Sequence, residues 1–208
     1  MIEITWWLFI VTSLVLIITP GQDMILVMTR SIAQGSAAGV STAAGVSVGL
    51  FGHTILVTLG LGAVLQASEW LFTLLKLVGA VYLVYLGVHL VRSKKNDLII
   101  SGGKPRSLLR LFFDGAFSNI SNPKIAVFYF AFLPQFVKPG NAHPALSIFV
   151  LGLLFAGLTF IVKGPVGLTA GILSNWLRSH TMCLTWLYRS SGMILIGLGV
   201  KLAFERKR

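Results

Sequence analysis

The feature of the sequence that most constrains the fold is a run of 38 residues, from Ser31 to Ser68, without a single Asp, Glu, Lys or Arg. No water-exposed loop stays uncharged for that length, whereas a membrane-spanning helix needs about 20 mainly apolar residues. The whole chain agrees, because 55% of its 208 residues are hydrophobic, only 11% are charged and the mean hydropathy is +0.86. We therefore expect an all-α, polytopic membrane protein rather than a soluble domain.

Uninterrupted apolar stretches predict six transmembrane helices. Their approximate bounds are residues 5–28, 40–64, 70–91, 112–133, 145–170 and 183–204. The first stretch lacks a basic segment before it and a small-residue cleavage signature after it, so we expect it to be retained as a span. The second is rich in glycine, which predicts close packing against other helices, although glycine is common in membrane helices generally. Six spans leave no room for a large extramembrane domain, so residues 1–208 are expected to form a single transmembrane domain.

The formal net charge of +11 indicates membrane orientation rather than nucleic-acid binding. The basic residues cluster in the segments between apolar runs, where they determine which side of the membrane a loop occupies. The largest cluster lies in residues 92–110, where six Lys or Arg residues face a lone Asp97. We expect this loop to be cytoplasmic, which places both termini in the periplasm for six spans. The basic tail at 205–208 disagrees with that orientation.

The central loop divides the chain into two halves of three spans, about 1–91 and 111–208, and an odd number of spans makes the halves run in opposite directions. Each half has a proline inside its first span, at Pro20 and, 103 residues later, at Pro123. Matched broken helices predict a transporter built from two inverted three-helix repeats, with helices 1 and 4 broken and the binding site at the interface. The alternative is two ordinary proline kinks whose polar neighbours satisfy the backbone.

The two breaks are also the predicted binding site. Proline lacks an N–H and disrupts the preceding turn, so each break frees backbone groups in a medium that cannot solvate them. The helices that resume after the breaks present N–H groups and a positive dipole end, which suit a carboxylate. The predicted substrate-binding residues are Pro20, Gly21, Gln22, Asp23, Asn119, Asn122, Pro123 and Lys124.

Two of these residues, Asp23 and Lys124, carry opposite charges. An ionised carboxylate in hydrocarbon costs at least ~2.5 kcal/mol on insertion scales, so Asp23 should face a cavity or a partner. The pseudo-symmetry of the breaks predicts that Asp23 pairs with Lys124 when the site is empty. A purely structural ion pair that closes the helix bundle is the alternative.

Further polar residues bear on proton coupling, for which Asp23, His53 and Asp114 are the candidates. Asp23 is the first of these, because a carboxylate that binds a substrate ammonium in one state and a proton in another links the two ligands. His53 lies mid-span and either relays protons or bonds a carbonyl group. Asp114 begins the fourth span and is either a second acid or a first-turn residue that complements the helix dipole. The stretch 163–165, Lys-Gly-Pro, marks a third irregularity.

Several chemistries lack their residues in this sequence. There is no HExxH, no P-loop, no GxSxG and no cluster of His and Cys ligands, and the single Cys183 excludes an internal disulfide or a CxxC pair. We therefore expect no cofactor, no metal and no enzymatic activity, with transport driven by a gradient. A membrane-embedded enzyme using Asp23 or His53, and a cation exporter, remain as alternatives, the latter disfavoured by the scarcity of intramembrane acids.

The motifs together resemble a known family. They are WW at 6–7, TPGQD at 19–23, the glycine run at 45–52, GAVYLVYLG at 79–87, SNISNPK at 118–124 and LPQF at 133–136. In order and spacing they resemble the lysine exporter (LysE/RhtB) family of amino-acid efflux transporters, in particular its threonine and homoserine exporters. The resemblance covers nearly the whole chain. It implies a multi-pass exporter of the bacterial inner membrane that is driven by proton motive force.

The acid inventory bears on the substrate. A zwitterion needs one anionic partner for its ammonium, whereas a basic amino acid needs a second acid for its side chain. Because only Asp23 is clearly inside the membrane, the sequence predicts a neutral or small polar substrate of the threonine, homoserine or leucine type. Export of basic amino acids, with Asp114 as the second acid, is the alternative. The oligomeric state stays open, with a homodimer as one option.

Overall fold

The computed structural model describes residues 4–67, 69–92, 105–137, 141–179 and 181–204. Its helices are α1 Trp6–Ile18, α2 Gln22–Gln34, α3 Ser36–Ala67, α4 Glu69–Arg92, α5 Leu108–Ile120, α6 Pro123–Val127, a π-helical turn Phe128–Phe132, a 3-10 turn Leu133–Phe136, α7 Pro144–Ser179 and α8 Thr181–Phe204. The predicted all-α fold is confirmed. Most of the central loop (93–104) and the basic tail (205–208) lie outside the described residues, so the orientation in the membrane stays a prediction.

The helices coincide with the predicted spans. Among the described residues, α3 over Ser36–Gly60 and α7 over Pro144–Ala170 are each long and apolar enough to cross a bilayer. The pair α1 and α2 passes the same test together as one span bent by 51°, and Leu77–Arg92 of α4 is a shorter apolar helix. Apolar side chains on the outer helix surfaces suit lipid contact; Trp7 and Val81, for example, are 78% and 70% exposed. This is the architecture of a polytopic membrane protein.

The first break follows directly from Pro20. The side chain and the backbone N–H of Thr19 both donate to the carbonyl oxygen of Val15, at 2.6 and 3.0 Å, and these bonds close the last turn of α1. The next helix, α2, begins at Gln22 after Gly21 in an extended conformation, without a hydrogen bond from a capping side chain. The predicted break of helix 1 is thereby confirmed.

The second break is capped within its own segment. Helix α5 ends at Ile120, and α6 begins with Pro123 at a position where the missing N–H is not needed. The side-chain oxygen of Asn122 accepts the backbone N–H of Lys124 at 3.1 Å, the usual arrangement of an asparagine N-cap. The predicted break of helix 4 is therefore also confirmed.

An aromatic core holds the continuation of the fourth span. Phe128, Tyr129, Phe132 and Phe136 follow α6 and are at least 95% buried. The ring of Phe128 stacks on Phe155 of α7, with 4.6 Å between the ring centroids. Aromatic pairs of this kind stabilise a core beyond their buried area. The core therefore fixes the second break against α7.

Glycine allows the close helix contacts that the sequence predicted for the second span. Helix α3 packs most extensively against α7 and α5, and α4 packs against α8. A Cβ atom at Gly39 would lie 2.6 Å from the carbonyl oxygen of Gly167 in α7, and one at Gly49 would lie 2.7 Å from that of Ala116 in α5. Among the described residues, Gly60 has no such neighbour within 4 Å, so they provide no close packing at that position.

The helices alternate between two ends of the bundle. At one end the backbone N–H of Thr5 donates to the carbonyl oxygen of Phe136 at 2.9 Å. At the other end the N–H of Arg106 donates to Oε1 of Gln34 at 2.8 Å. Because α8 packs antiparallel to α4, the described chain starts and stops at the same end. This alternation is what six crossings of a membrane require.

Candidate functional site

The two broken helices contact each other through side chains that reach from each break to the other. Gln22, the first residue of α2, donates from Nε2 to Oγ of Ser118 in α5 at 3.1 Å. Lys124, in the first turn of α6, donates from Nζ to the carbonyl oxygens of Leu16 and Thr19 at 3.0 and 3.3 Å. The freed carbonyl groups at the end of α1 thus receive a cation from the opposite half of the chain.

Asp23 is the charged centre of this arrangement. Its side chain is 3% exposed. Nδ2 of Asn119 donates to Oδ2 at 2.8 Å, Nζ of Lys163 lies 3.4 Å from the same oxygen, and Oγ of Ser118 lies 3.5 Å from Oδ1. The expectation that Asp23 needs a buried partner is therefore met by residues of α5 and α7.

The cation that pairs with Asp23 is Lys163, and the predicted pair between Asp23 and Lys124 is wrong in this conformation. Lys124 is held instead by the carbonyl groups of the first break. Lys163 stood out in the sequence only as part of an irregular stretch. A signal for its role was present, however, because a lysine in an apolar span needs an anionic partner and Asp23 is the one acid clearly within the membrane.

These residues line a small pocket, which we call the closed pocket because it has no room for an amino acid. Its volume is about 10 Å³, which is room for one water molecule at most. The polar residues that line it are Thr19, Asp23, Asn119, Asn122, Lys124, Thr159 and Lys163. The structure thus brings five of the predicted binding residues, Gly21, Asp23, Asn119, Asn122 and Lys124, to one place. Pro20 and Pro123 shape the breaks, and Gln22 faces a different space.

His53 touches the same network from α3. Its side chain is buried, and Nε2 lies 3.2 Å from the backbone carbonyl oxygen of Asn119, the residue whose side chain holds Asp23. Its other ring nitrogen, Nδ1, is buried without a partner among the described residues. The ring packs against Tyr129, with 5.5 Å between the ring centroids. The hydrogen bond to a carbonyl group is thus present, and proton relay by His53 stays a prediction.

Asp114 is not part of the closed pocket. Helix α5 begins at Leu108, where Oγ of Ser107 accepts the N–H of Arg110 at 3.3 Å, so Asp114 lies in the second turn of the helix. The interpretation of Asp114 as a first-turn residue that complements the helix dipole is therefore wrong. The helix starts before the predicted span at 112–133, because Ser107 caps it at Leu108.

Three arginines surround Asp114 instead. Oδ2 lies 2.5 Å from Nη1 of Arg106 and 3.6 Å from Nη2 of Arg30, and Oδ1 lies 3.4 Å from Nε of Arg110. Arg30 belongs to α2, so the cluster joins the first half of the chain to the start of the second. With one carboxylate among three guanidinium groups, the cluster has an excess of positive charge.

A second, larger cavity lies between α2 and α5. Its volume is about 630 Å³. It is lined on α2 by Gln22, Ile25, Leu26, Thr29 and Arg30, and on the other side by Arg106, Asp114, Phe117 and Ser118. One end of this cavity is thus the arginine cluster, and the other end is the hydrogen bond between the two breaks.

The chemistry of the closed pocket is that of ion binding. One buried carboxylate and two lysine ammonium groups meet where two helices are broken, and the described residues contain no group of three or more His, Cys, Asp or Glu that could hold a metal ion. A multi-pass helical bundle with its charged residues at paired helix breaks has an arrangement found in membrane transporters.

Comparisons with known proteins define the family. The LysE type translocator family matches residues 14–206, and the chain belongs to this family, as the motifs predicted. A homoserine/homoserine lactone efflux protein of Salmonella typhimurium is 31% identical over 201 residues, which cover 97% of each chain. An uncharacterized membrane protein of Pseudomonas aeruginosa is 30% identical over 203 residues, which cover 95% of this chain and 94% of that protein. No solved structure gives a significant match. The protein is thus a multi-pass membrane transporter rather than an enzyme.

Proposed function

We propose that the protein exports neutral or small polar amino acids, of the homoserine, threonine or leucine type, across the bacterial inner membrane in exchange for protons. The family and the name of the Salmonella typhimurium relative support amino-acid efflux. The observation that carries the proposal is the buried ion pair of Asp23 with Lys163, 3.4 Å apart at the meeting point of the two breaks. It supplies the carboxylate that an amino group requires.

In this proposal the ammonium of the substrate takes the place of the Lys163 ammonium on Asp23. The substrate carboxylate then binds beside the ammonium group of Lys124, which lies at the first break. Because the closed pocket has a volume of only about 10 Å³, the two breaks must separate before an amino acid fits. Lys163 is thus the cation with which the substrate ammonium competes for Asp23.

The charges favour a neutral side chain over a basic one. A lysine or arginine substrate carries a second cation, which needs a second free carboxylate. Asp114 already has three guanidinium groups within 3.6 Å and lines the other cavity. Asp23 is therefore the one carboxylate in the described part of the closed pocket, and it suffices for a zwitterion.

Proton coupling follows if Asp23 binds a proton whenever it holds neither the substrate nor Lys163. A protonated carboxyl group is neutral and attracts an ammonium group only weakly. The proton and the substrate therefore exclude each other on Asp23 and move in opposite directions. His53 contacts Asn119, next to Asp23, and is placed to assist this exchange. The two halves move as inverted repeats, which the matched packing of α3 on α7 and of α4 on α8 supports.

The test uses proteoliposomes with an acidic lumen and a panel of homoserine, threonine, leucine, lysine and arginine. We expect the wild type to accumulate one or more of the first three, and Asp23→Asn to lose accumulation. Asp114→Asn is the matched control, since it makes the same change at the other described carboxylate within the bundle, and it should still accumulate substrate. Accumulation by Asp23→Asn at the wild-type level would contradict the proposed coupling. Transport of lysine and arginine alone would contradict the proposed substrate class.

A further inference from the structure

We propose that the cavity between α2 and α5 is a loading vestibule in which Arg30 binds the carboxylate of the amino acid before it passes Gln22 and Ser118 to reach Asp23. This inference rests on the proposed function and adds a second binding station to it. The three observations that support it are the unused hydrogen-bonding capacity of Arg30, the size and lining of the cavity, and the way in which two adjacent cavities share one wall.

Arg30 is the least committed cation of the arginine cluster. Arg106 contacts Asp114 at 2.5 Å and Arg110 contacts it at 3.4 Å, whereas Nη2 of Arg30 lies 3.6 Å away. Nε of Arg30 is buried and has no hydrogen-bond partner among the described residues, although the side chain as a whole is 16% exposed. Arg30 lines the cavity, and a guanidinium group with weak existing contacts binds an anionic oxygen strongly. Arg30 can therefore donate hydrogen bonds to a carboxylate without losing an existing strong contact.

The cavity beside Arg30 has the size and lining that an amino acid requires. Its volume of about 630 Å³ lies within the roughly 300–1,000 Å³ range of small-molecule sites. Ile25, Leu26 and Phe117 form its apolar wall, and Thr29 adds a hydroxyl group. This combination suits a carboxylate attached to a small apolar or hydroxylated side chain.

A thin wall separates this cavity from the closed pocket. Gln22 and Ser118 line the larger cavity, while Asp23 and Asn119, the next residue in each case, line the smaller one. In this wall Nε2 of Gln22 donates to Oγ and to the backbone carbonyl oxygen of Ser118, at 3.1 and 3.4 Å. The same hydroxyl group lies 3.5 Å from Oδ1 of Asp23. Separation of this single side-chain pair would connect the two spaces.

Arg30 and Asp23 line different cavities. They are seven residues apart on α2, and seven residues of α-helix span roughly 10 Å along the axis. Arg30 is therefore a separate station that collects the substrate, and Asp23 is the station at which the substrate exchanges with a proton.

The first test measures the transport rate at increasing homoserine concentrations on the side of the membrane to which the vestibule opens. We expect Arg30→Gln to raise the half-saturating concentration of homoserine about tenfold with little change in the maximal rate, since a hydrogen bond to a charged group is lost. Arg30→Lys should recover part of this affinity. Arg110→Gln is the matched control: Arg110 contacts the same Asp114 but is 70% exposed and does not line the cavity. Equal effects of Arg30→Gln and Arg110→Gln would overturn the proposal.

The second test reads the vestibule directly and does not depend on transport. Leu26→Cys is introduced together with Cys183→Ser, which removes the single native thiol, and the rate of maleimide labelling is measured. We expect homoserine and acetate, but not methylammonium, to slow labelling, and Arg30→Gln to abolish that protection.

If the protein transports homoserine but neither homoserine nor acetate slows labelling, the proposed vestibule is wrong while the proposed function stands. If no amino acid is transported but acetate still protects, the proposed function fails and the anion site remains. Protection by anionic phospholipid vesicles alone would assign the cavity to a lipid headgroup and overturn the proposal.

Discussion

The two helix breaks satisfy their freed backbone groups in different ways. The second break is self-contained: Asn122 caps α6 through a 3.1 Å hydrogen bond, and Pro123 occupies a position that needs no N–H. The first break has no capping side chain at the start of α2, and the carbonyl oxygens of Leu16 and Thr19 depend on Lys124 from the other half of the chain. One break is thus complete by itself, whereas the other depends on a side chain from the other half of the chain.

This difference indicates which part of the molecule moves. Aromatic residues pack the second break against α7, so it forms a fixed surface. The first break carries Asp23, and its polar contacts to the second half are the side-chain bonds of Gln22, Asp23 and Lys124. Because a substrate competes for these bonds, we expect the first break to open during transport while the second keeps its geometry.

The largest effect should come from removing the cation that neutralises the first break. Lys163→Met leaves the carboxylate of Asp23 buried without its ion-pair partner, and losing one partner of a buried pair costs about 3–5 kcal/mol. Unfolding of the purified protein in detergent measures the loss. The double variant Lys163→Met with Asp23→Asn removes both charges and should recover most of the stability. A single variant as stable as the wild type would show that the pair does not hold the first break.

A smaller loss should follow removal of the bridge between the breaks. Lys124→Met takes the ammonium from two carbonyl groups, and a hydrogen bond to a charged group contributes about 1.5–3 kcal/mol. Lys201→Met, an exposed lysine in the last turn of α8, is the matched control and should change stability little. The same unfolding measurement compares them. If both variants lose the same stability, the first break does not depend on the second half in the way the contacts indicate.

The second break should respond more weakly, because it loses only a cap. Asn122→Ala removes the acceptor for the N–H of Lys124, and such substitutions at an N-cap cost about 1 kcal/mol. Asn122→Ser keeps a capping oxygen and should restore most of that stability. A loss as large as that of Lys163→Met would contradict the description of this break as self-contained.

The sequence predicted the breaks well because their cause is local. A proline inside an apolar run removes a backbone donor wherever the rest of the chain lies, so Pro20 and Pro123 identify the breaks without any knowledge of the packing. Asp23 could be assigned a buried partner for a similarly general reason, the cost of an isolated charge in hydrocarbon.

The identity of that partner could not be predicted in the same way. Asp23 and Lys163 are 140 positions apart, and pseudo-symmetry favoured Lys124 because it occupies the matching break. What decides between the two lysines is the pair of carbonyl groups of the first break, which attract Lys124 only once the helices are packed. Asp114 was expected at a helix start because the predicted span at 112–133 does not reveal that α5 already begins at Leu108, after its Ser107 cap.

Substitution of Gln22 should have the smallest effect on stability. It also best distinguishes opening of the first break from unfolding of the protein. Its hydrogen bond to Ser118 is exposed, so Gln22→Ala should change stability by no more than about 0.5 kcal/mol. The same substitution removes the wall between the two cavities, and a hydrogen bond of roughly 0.5–1 kcal/mol corresponds to an exchange rate about two to five times faster. Homoserine exchange across proteoliposomes at equal concentrations on both sides measures this rate.

Gln34→Ala is the matched control, because Gln34 joins the far end of α2 to Arg106, just before α5. Faster exchange in Gln22→Ala alone would place the opening movement at the first break, whereas equal acceleration in both variants would mean that α2 moves as a whole.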